Sequence, residues 1–167
     1  QMRVHTGFGP FGEVDLALDG EYGAEVGDFY EHRRLQGTEL ELTQLGQGLL
    51  FGTWESEFQD LEIKGWSEID GKRYIEIHAS PESFDQPFVL YVDPETGALR
   101  KADLWIYAPN LGPFPMELHV GELDQFGDMM WPGTWWMFDQ STGEIRYNVN
   151  SVKRLKDVSS DLFELKA

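Results

Sequence analysis

The chain has 167 residues, no cysteine, and 30 acidic against 13 basic side chains, which gives a formal net charge of −17 at neutral pH. This charge repels phosphate backbones and anionic membrane surfaces, so the sequence argues against a nucleic-acid partner. The lack of cysteine excludes disulfides, thiolate catalysis and cysteine-ligated metals within the chain. The length suits one domain, which we predict to cover residues 1–167.

The sequence contains no apolar segment that approaches the length of a helical membrane span, about 18 residues or more. Its first residues, Gln-Met-Arg, do not begin a signal peptide. If the protein is exported, we expect this to be a processed form or a fragment. The acidic residues are dispersed along the chain, which is typical of a highly solvated surface.

Alternation of apolar with polar residues is the main pattern along the chain. It predicts strands at 14–18 and 39–42, where valine or leucine alternates with aspartate or glutamate. Similar alternation follows at 74–79, 116–121 and 145–150. Strands with one apolar and one polar face are typical of antiparallel sheets that cover a core on one side.

Turn sequences connect these strands into hairpins. Asp70-Gly71 suits a tight primed turn, and the links 93–97 and 139–143 each end in a glycine. The predicted hairpins pair 62–69 with 72–79, 88–92 with 99–107, and 130–138 with 144–152. A further turn at Gly127-Asp128 predicts pairing of 116–126 with 129–138.

Helix is predicted at only two places, so the chain is expected to be mainly β. A short helix over 53–61 begins with the capping residue Thr53 and has Trp54, Phe58 and Leu61 on one stripe. A terminal turn at 161–165 would insert apolar side chains into the sheet.

Several short sequences follow one another in a distinctive order from about residue 61 to the end. They are EIDGKRY at 68–74, YVDPETGALRK at 91–101, GDMMWP at 127–132, NVN at 148–150 and DLFEL at 161–165. This order resembles the "DG-Y-I … Y-D-TG-L-K", "DG-x-x-x-P" and "N-V … D-LF-x-L" progression of LolA-like domains, the relatives of the periplasmic outer-membrane lipoprotein carrier. Residues 1–60 fit the resemblance only in outline.

The resemblance implies a fold, a compartment and a class of ligand. The implied fold is mainly β: a strongly curved antiparallel sheet, forming an incomplete barrel, with one or two short helices. Its concave side would shelter an acyl chain or another hydrophobic partner, and the protein would be periplasmic, in the cell envelope, or extracellular. The resemblance is one of turns and strand positions, and it assigns no ligand-binding residue.

The segment 129–138, MMWPGTWWMF, is apolar on nearly every residue. On one continuous strand, Trp131, Trp135 and Met137 lie on one face, and Trp136 lies on the other. Burial of one tryptophan removes about 150–250 Å² from water, so these side chains need cover. Either the strand is central and buried on both sides, or one face lines a cavity or meets a partner.

Methionine and tryptophan concentrate in this part of the sequence, and flexible thioethers suit irregular apolar partners. Trp105 shares a strand face with Tyr107 and would extend the same wall. The candidate site for a hydrophobic ligand or partner therefore consists of Trp105, Met116, Trp131, Trp135 and Met137.

Patterns for catalysis are weak in this sequence. It has no Gly-x-Ser-x-Gly elbow, no phosphate-binding glycine loop before a helix, and no histidine pair at ligand spacing. Glu76 with His78, and Glu117 with His119, place a carboxylate and an imidazole on one strand face, but such pairs are more typical of solvated faces than of metal sites. We predict that the protein is not an enzyme and has no cofactor and no metal.

The resulting hypothesis is a non-catalytic envelope protein that binds an acyl chain or a lipoprotein in the concave face of its sheet. Two alternatives stay open. The same aromatic residues would also suit an extrinsic structural subunit that docks on a larger membrane-protein complex. Tryptophan-lined clefts also bind sugars, so a carbohydrate-binding module or a glycosidase is the third possibility.

Overall fold

A computed structural model describes residues 2–7, 9–19, 21–28, 30–52, 54, 58–82, 84–108, 112–139 and 143–152. Over these residues the chain forms thirteen strands and one α-helix. They divide into two compact units, one formed up to Glu41 and one beginning at Leu42. The single domain over 1–167 stays a prediction.

The first unit is built on a four-stranded antiparallel meander. Its strands, in chain order and in sheet order, are β1 (Met2–Gly7), β2 (Glu13–Asp19), β3 (Tyr22–Gly27) and β4 (Tyr30–Leu35). The strand predicted at 14–18 is the centre of β2. Small and aliphatic side chains fill its interior, where Ala17, Leu18, Ala24 and Leu35 are buried.

An arginine bridges two parts of this first unit. Arg33 on β4 donates hydrogen bonds to Glu25 on β3 and to Glu39, which follows β4 in the chain. Because the guanidinium group offers several donors in a fixed plane, it binds both carboxylates at once. Arg33 thereby joins the sheet to the start of the helix.

Helix α1 (Gly37–Phe51) replaces the strand that we predicted at 39–42, so that prediction was wrong. Leu42, Leu45 and Leu49 are fully or almost fully buried, and their spacing of three and four residues forms one helical stripe. The alternation around Leu40 and Leu42 covers only four residues, whereas the helical spacing continues for two turns. The later turns of α1, from Leu42 onward, belong to the second unit.

The second unit contains a seven-stranded antiparallel sheet. Its strands are β5 (Asp60–Ile69), β6 (Lys72–Ser80), β7 (Phe88–Val92), β8 (Leu99–Ala108), β9 (Gly112–Val120), β12 (Thr134–Asp139) and β13 (Gly143–Asn148). Two shorter strands, β10 (Leu123–Phe126) and β11 (Met129–Pro132), form a separate hairpin between β9 and β12. The sheet order is β13-β12-β9-β8-β7-β6-β5.

Three predicted hairpins are confirmed by the pairing of β5 with β6, of β7 with β8, and of β12 with β13, the last over residues 134–139 and 143–148. At the first of these turns, Asp70 and Gly71 have φ angles of 51° and 77°. Positive φ at both central residues is what a type I′ turn requires, and the twist of this turn matches the right-handed twist of the flanking strands.

The predicted continuous strand at 129–138 was wrong, because it breaks at Gly133. Residues 129–132 pair with β10, whereas residues 134–139 pair with β9 and β13. The Gly133 N–H donates to the Glu122 carbonyl at 3.1 Å, and its carbonyl accepts from Val149 at 2.9 Å. Pro132 lacks an N–H for a continuous ladder, which favours a break at this point.

The prediction of a helix over 53–61 is wrong at its end, where a strand begins. Thr53 and residues 55–57 lie outside the described residues, as does the predicted turn at 161–165. Asp60 and Leu61 belong to β5. Trp54 and Phe58 are both buried in the core of the second unit, which agrees with their apolar character.

This core lies between α1 and one face of the seven-stranded sheet, which we call the helix face. Leu42, Leu45 and Leu49 pack with buried side chains of the central strands, including Phe88, Leu90 and Leu118. The rings of Phe58 and Phe88 meet edge to face at 5.3 Å. We call the opposite side of the sheet the outer face.

The predicted fold class is confirmed: the chain is mainly β, its sheets are antiparallel, and helix is scarce. Among the described strands, β5 and β13 are the two edges of the seven-stranded sheet and do not pair with each other. The sheet is therefore an incomplete barrel rather than a closed one.

Candidate binding site

The five predicted site residues fall into three places. Met116, Trp135 and Met137 lie on the helix face, because Trp135 is paired with Val120, Met137 with Leu118, and Met116 with Leu104. Trp105 is paired with Pro115 and lies on the outer face. Trp131 lies on β11, opposite Asp124 of the separate hairpin.

The helix face near β12 and β13 has a continuous apolar and aromatic surface. The indole of Trp135 stacks on the Tyr147 ring, with centroids 3.8 Å apart and planes 12° from parallel. Burial raises the pKa of the Tyr147 phenol. Trp135 and Met137 are only partly buried, and Ile145 on β13 is 39% exposed. This end of the face is therefore apolar but incompletely covered.

The opposite edge of the helix face is also apolar and open. Leu61, Ile63 and Trp66 on β5 are paired with Ala79, Ile77 and Ile75 of β6. Their exposed fractions are 39%, 71% and 57%, respectively. Burial is thus complete in the central strands and decreases toward both edges, while the apolar character of the face continues.

The outer face carries a network of charged side chains at its centre. Lys101 Nζ lies 2.9 Å from Asp103 Oδ1 and 3.1 Å from Glu117 Oε2. Glu117 also contacts His119 at 3.0 Å, and the Tyr91 hydroxyl donates to Asp103 at 3.0 Å. Strand alternation in the sequence indicated the Glu117–His119 pair of this network, but nothing in the sequence indicated that Lys101 completes it.

Two of these groups have pKa values that keep them ionised. Burial tends to lower the pKa of Lys101, but its bonds to Asp103 and Glu117 outweigh burial and raise it. Burial tends to raise the pKa of Glu117, but hydrogen bonds from Lys101 and His119 outweigh burial and lower it. The network is therefore a fixed set of charged donors and acceptors on the sheet.

A pH prediction follows from Glu117. Because its pKa is lower in the folded than in the unfolded chain, its contribution to stability is present above the unfolded value, about 4.3, and is lost as pH falls through the folded value. We expect the free energy of unfolding to fall between about pH 5 and pH 3. Urea unfolding measured across this range should show a smaller fall for Glu117→Gln. An identical fall in the variant would contradict this assignment.

Trp136 is covered on the outer face rather than on the helix face. Its indole is parallel to the His119 ring, with centroids 5.0 Å apart, and the Arg146 guanidinium lies 4.8 Å from its centroid. Such stacking with a cation stabilises an aromatic ring at a surface. The tryptophan needs no apolar ligand to be covered.

A cavity of about 700 Å³ opens on the outer face beside the charged network. Its lining combines aromatic and aliphatic groups with charged ones, and includes Pro87, Trp105, Pro115, Phe138, Lys101, Asp103 and Glu117. Of the predicted site residues, Trp105 and Met116 line it. Sequence reasoning missed the cavity, because its walls come from strands that are distant in the chain.

The described residues form neither a metal-binding cluster nor a membrane-spanning helix. Within the described ranges, histidine, aspartate and glutamate form no group of three or more that would hold a metal ion. Glu76 and His78 instead form a 3.0 Å pair, like Glu117 and His119. The described helix is too short and too polar to cross a membrane.

No protein-family model and no curated protein matches this sequence. Three solved structures are similar in fold. A putative outer membrane lipoprotein-sorting protein domain from Vibrio parahaemolyticus is 12% identical, with a TM-score of 0.56 over 91% of this chain and 68% of its own.

The other two similar structures have comparable scores. A LolA superfamily protein from Nitrosomonas europaea is 16% identical, with a TM-score of 0.56 over 92% of this chain and 76% of its own. A DUF1329 family protein from Desulfovibrio piger is 13% identical, with a TM-score of 0.53 over 97% of this chain and 79% of its own. The chain therefore has a LolA-like fold, as the sequence predicted.

Proposed function

We propose that this chain is a non-catalytic protein of the cell envelope that holds a hydrophobic moiety, the acyl chain of a lipid or lipoprotein, on the helix face of its sheet. The observation that carries this proposal is the incomplete cover of an apolar face near β12 and β13. The likeness to a lipoprotein-sorting domain supports the same class of ligand and a periplasmic location.

The site would lie where Trp135, Met137 and Tyr147 meet. The Trp135–Tyr147 stack supplies a flat apolar wall, and the unbranched thioether of Met137 adapts to an irregular chain. Met116 is 7% exposed and lines the cavity described above, so it is not part of this wall. Each methylene of the acyl chain that leaves water on such a surface contributes about 0.8 kcal/mol to the free energy of binding.

Charge favours a neutral or zwitterionic lipid over a free fatty acid. The whole chain carries a formal charge of −17, which disfavours an additional carboxylate near its surface. The wall itself consists of indole, thioether, phenol and aliphatic groups. The polar end of the ligand would therefore remain in solvent while the acyl chain contacts the protein.

The test uses two adjacent tryptophans that lie on opposite faces. The delipidated full chain is titrated with a neutral monoacylglycerol that carries a fluorescent acyl chain. We expect saturable binding that weakens at least tenfold in Trp135→Ala, equivalent to about 1.4 kcal/mol, because the wall loses its largest apolar surface.

Trp136→Ala is the matched control, since its indole is stacked on the outer face between His119 and Arg146. It should bind the probe like the unaltered chain. Thermal unfolding of both variants identifies any loss of binding that comes from loss of folding. The proposal would be contradicted by absence of saturable binding, or by equal weakening in two folded variants.

A further inference from the structure

The outer-face cavity has a different chemistry from the helix-face site, and its lining includes none of Trp135, Met137 and Tyr147. Its position follows from the registers of β8, β9 and β12, which place Trp105 beside Pro115, and Asp103 beside Glu117 and then Phe138. An apolar patch thus adjoins a charged one across neighbouring strands. An acyl chain would match only the apolar part of this lining, and would remove its charged groups from water without compensation.

The apolar half presents two aromatic side chains. Trp105 is held in place by an edge-to-face contact with Phe84, with ring centroids 5.4 Å apart and planes at 64°. Phe138 is 40% exposed on the adjoining strand. Aromatic faces carry partial negative charge, which attracts the weakly positive C–H groups on one side of a saturated ring.

The charged half offers donors and acceptors already fixed in place. Lys101 is held between the carboxylates of Asp103 and Glu117, and Tyr91 fixes Asp103 from the other side. A hydroxyl group both donates and accepts hydrogen bonds, so it can bind to the ammonium and to the carboxylates alike. Groups that need no reorganisation on binding favour affinity.

The lining contains charges of both signs, so an ionic ligand of either sign would meet repulsion. An anion would meet the carboxylates of Asp103, Glu117 and Asp139, and a cation would meet the ammonium of Lys101, at close range. A neutral ring with several hydroxyl groups meets neither repulsion and uses both halves of the lining. The volume of about 700 Å³ lies within the usual range for pockets of small ligands.

From these contacts we propose that the outer-face cavity binds a neutral sugar ring, which stacks on Trp105 and Phe138 and hydrogen-bonds to Lys101, Asp103 and Glu117. The sugar site and the helix-face site lie on opposite sides of the same sheet. The proposal does not depend on lipid binding.

The test measures binding of neutral oligosaccharides to the full chain by isothermal titration calorimetry, with maltohexaose, cellohexaose and chitohexaose as probes. We expect saturable binding of at least one of the three. Phe138→Ala should weaken it at least tenfold, and because Phe138 is already 40% exposed, this change should leave folding intact. Trp105→Ala should weaken it similarly.

Two controls separate this site from its surroundings. Trp136→Ala removes an aromatic ring from the same face outside the cavity lining, and Trp135→Ala alters only the helix face; both should bind the sugar normally. No saturable binding of any of the three probes would overturn the proposal. It would also be overturned by binding that survives in both Phe138→Ala and Trp105→Ala. Either result leaves the acyl-chain titration unaffected, so the two proposals fail independently.

Discussion

Replacement of Phe88 by alanine is expected to lower the free energy of unfolding by about 3–5 kcal/mol. Phe88 is completely buried on the helix face of β7, where its ring meets Phe58 edge to face at 5.3 Å. The alanine variant loses this buried apolar area and leaves a cavity in a core that includes Leu90 and Leu118. Urea unfolding followed by far-UV circular dichroism measures the loss.

Val89→Ala is the matched control for this prediction. Val89 is the next residue on β7, is paired with Asp103, and lies on the outer face. It is only partly buried, so its truncation should cost much less than that of Phe88. If Phe88→Ala lowers the free energy of unfolding by less than about 1 kcal/mol, α1 does not pack on this face as described.

The second large effect is expected at Gly121, where the β10–β11 hairpin leaves the seven-stranded sheet. The Gly121 N–H donates to the Thr134 carbonyl at 2.8 Å. A Cβ at this position would lie only 2.8 Å from the same carbonyl oxygen, and this backbone atom cannot move without breaking the bond. We expect Gly121→Ala to lower the free energy of unfolding by about 1–3 kcal/mol, as measured by urea unfolding.

Gly46→Ala provides the opposite control. Gly46 lies within α1, and a Cβ built there meets nothing within 4 Å. Because alanine favours helix over glycine by about 1 kcal/mol, this variant should be as stable as the parent or more stable. If Gly121→Ala is equally well tolerated, the close approach of the two strands at the hairpin is not as described.

The sequence predicted the hairpins of this fold because their signals are local. Asp70-Gly71 specifies a primed turn through two consecutive residues that accept positive φ, and the alternation around Ile75 and Ile77 sets the face that each strand buries. The incomplete barrel was implied by the resemblance to LolA-like domains, which rests on the order of these turns and strands. Signals of this kind depend on few residues and survive when the overall sequence diverges.

Helix α1 was missed because its first residues alternate and its middle contains Gly46 and Gly48, which are poor helix formers. Its formation depends on burial of Leu42, Leu45 and Leu49 against the sheet, a tertiary effect that overrides local propensity. The break at Gly133 was missed for a similar reason. The segments on both sides of Gly133 are apolar, and they are distinguished only by pairing with different strands.

The candidate site was predictable in part. Trp135, Met137 and Met116 share a face because strand alternation and pairing put them there, as the sequence suggested. Trp105 was assigned to the same wall although it lies on the other face, since the register between β8 and β9 is not visible in the sequence. The outer-face cavity depends on that register, and so on contacts that no short motif contains.

Acyl-chain binding on the helix face is tested most directly by photo-crosslinking with a monoacylglycerol that carries a diazirine in its acyl chain. After irradiation and proteolysis, mass spectrometry locates the modified residues in the full chain. We expect saturable labelling of the helix-face residues of β12 and β13, above all Trp135, Met137 and Tyr147. Labelling confined to outer-face residues such as Trp105 and Phe138, or no saturable labelling, would contradict it.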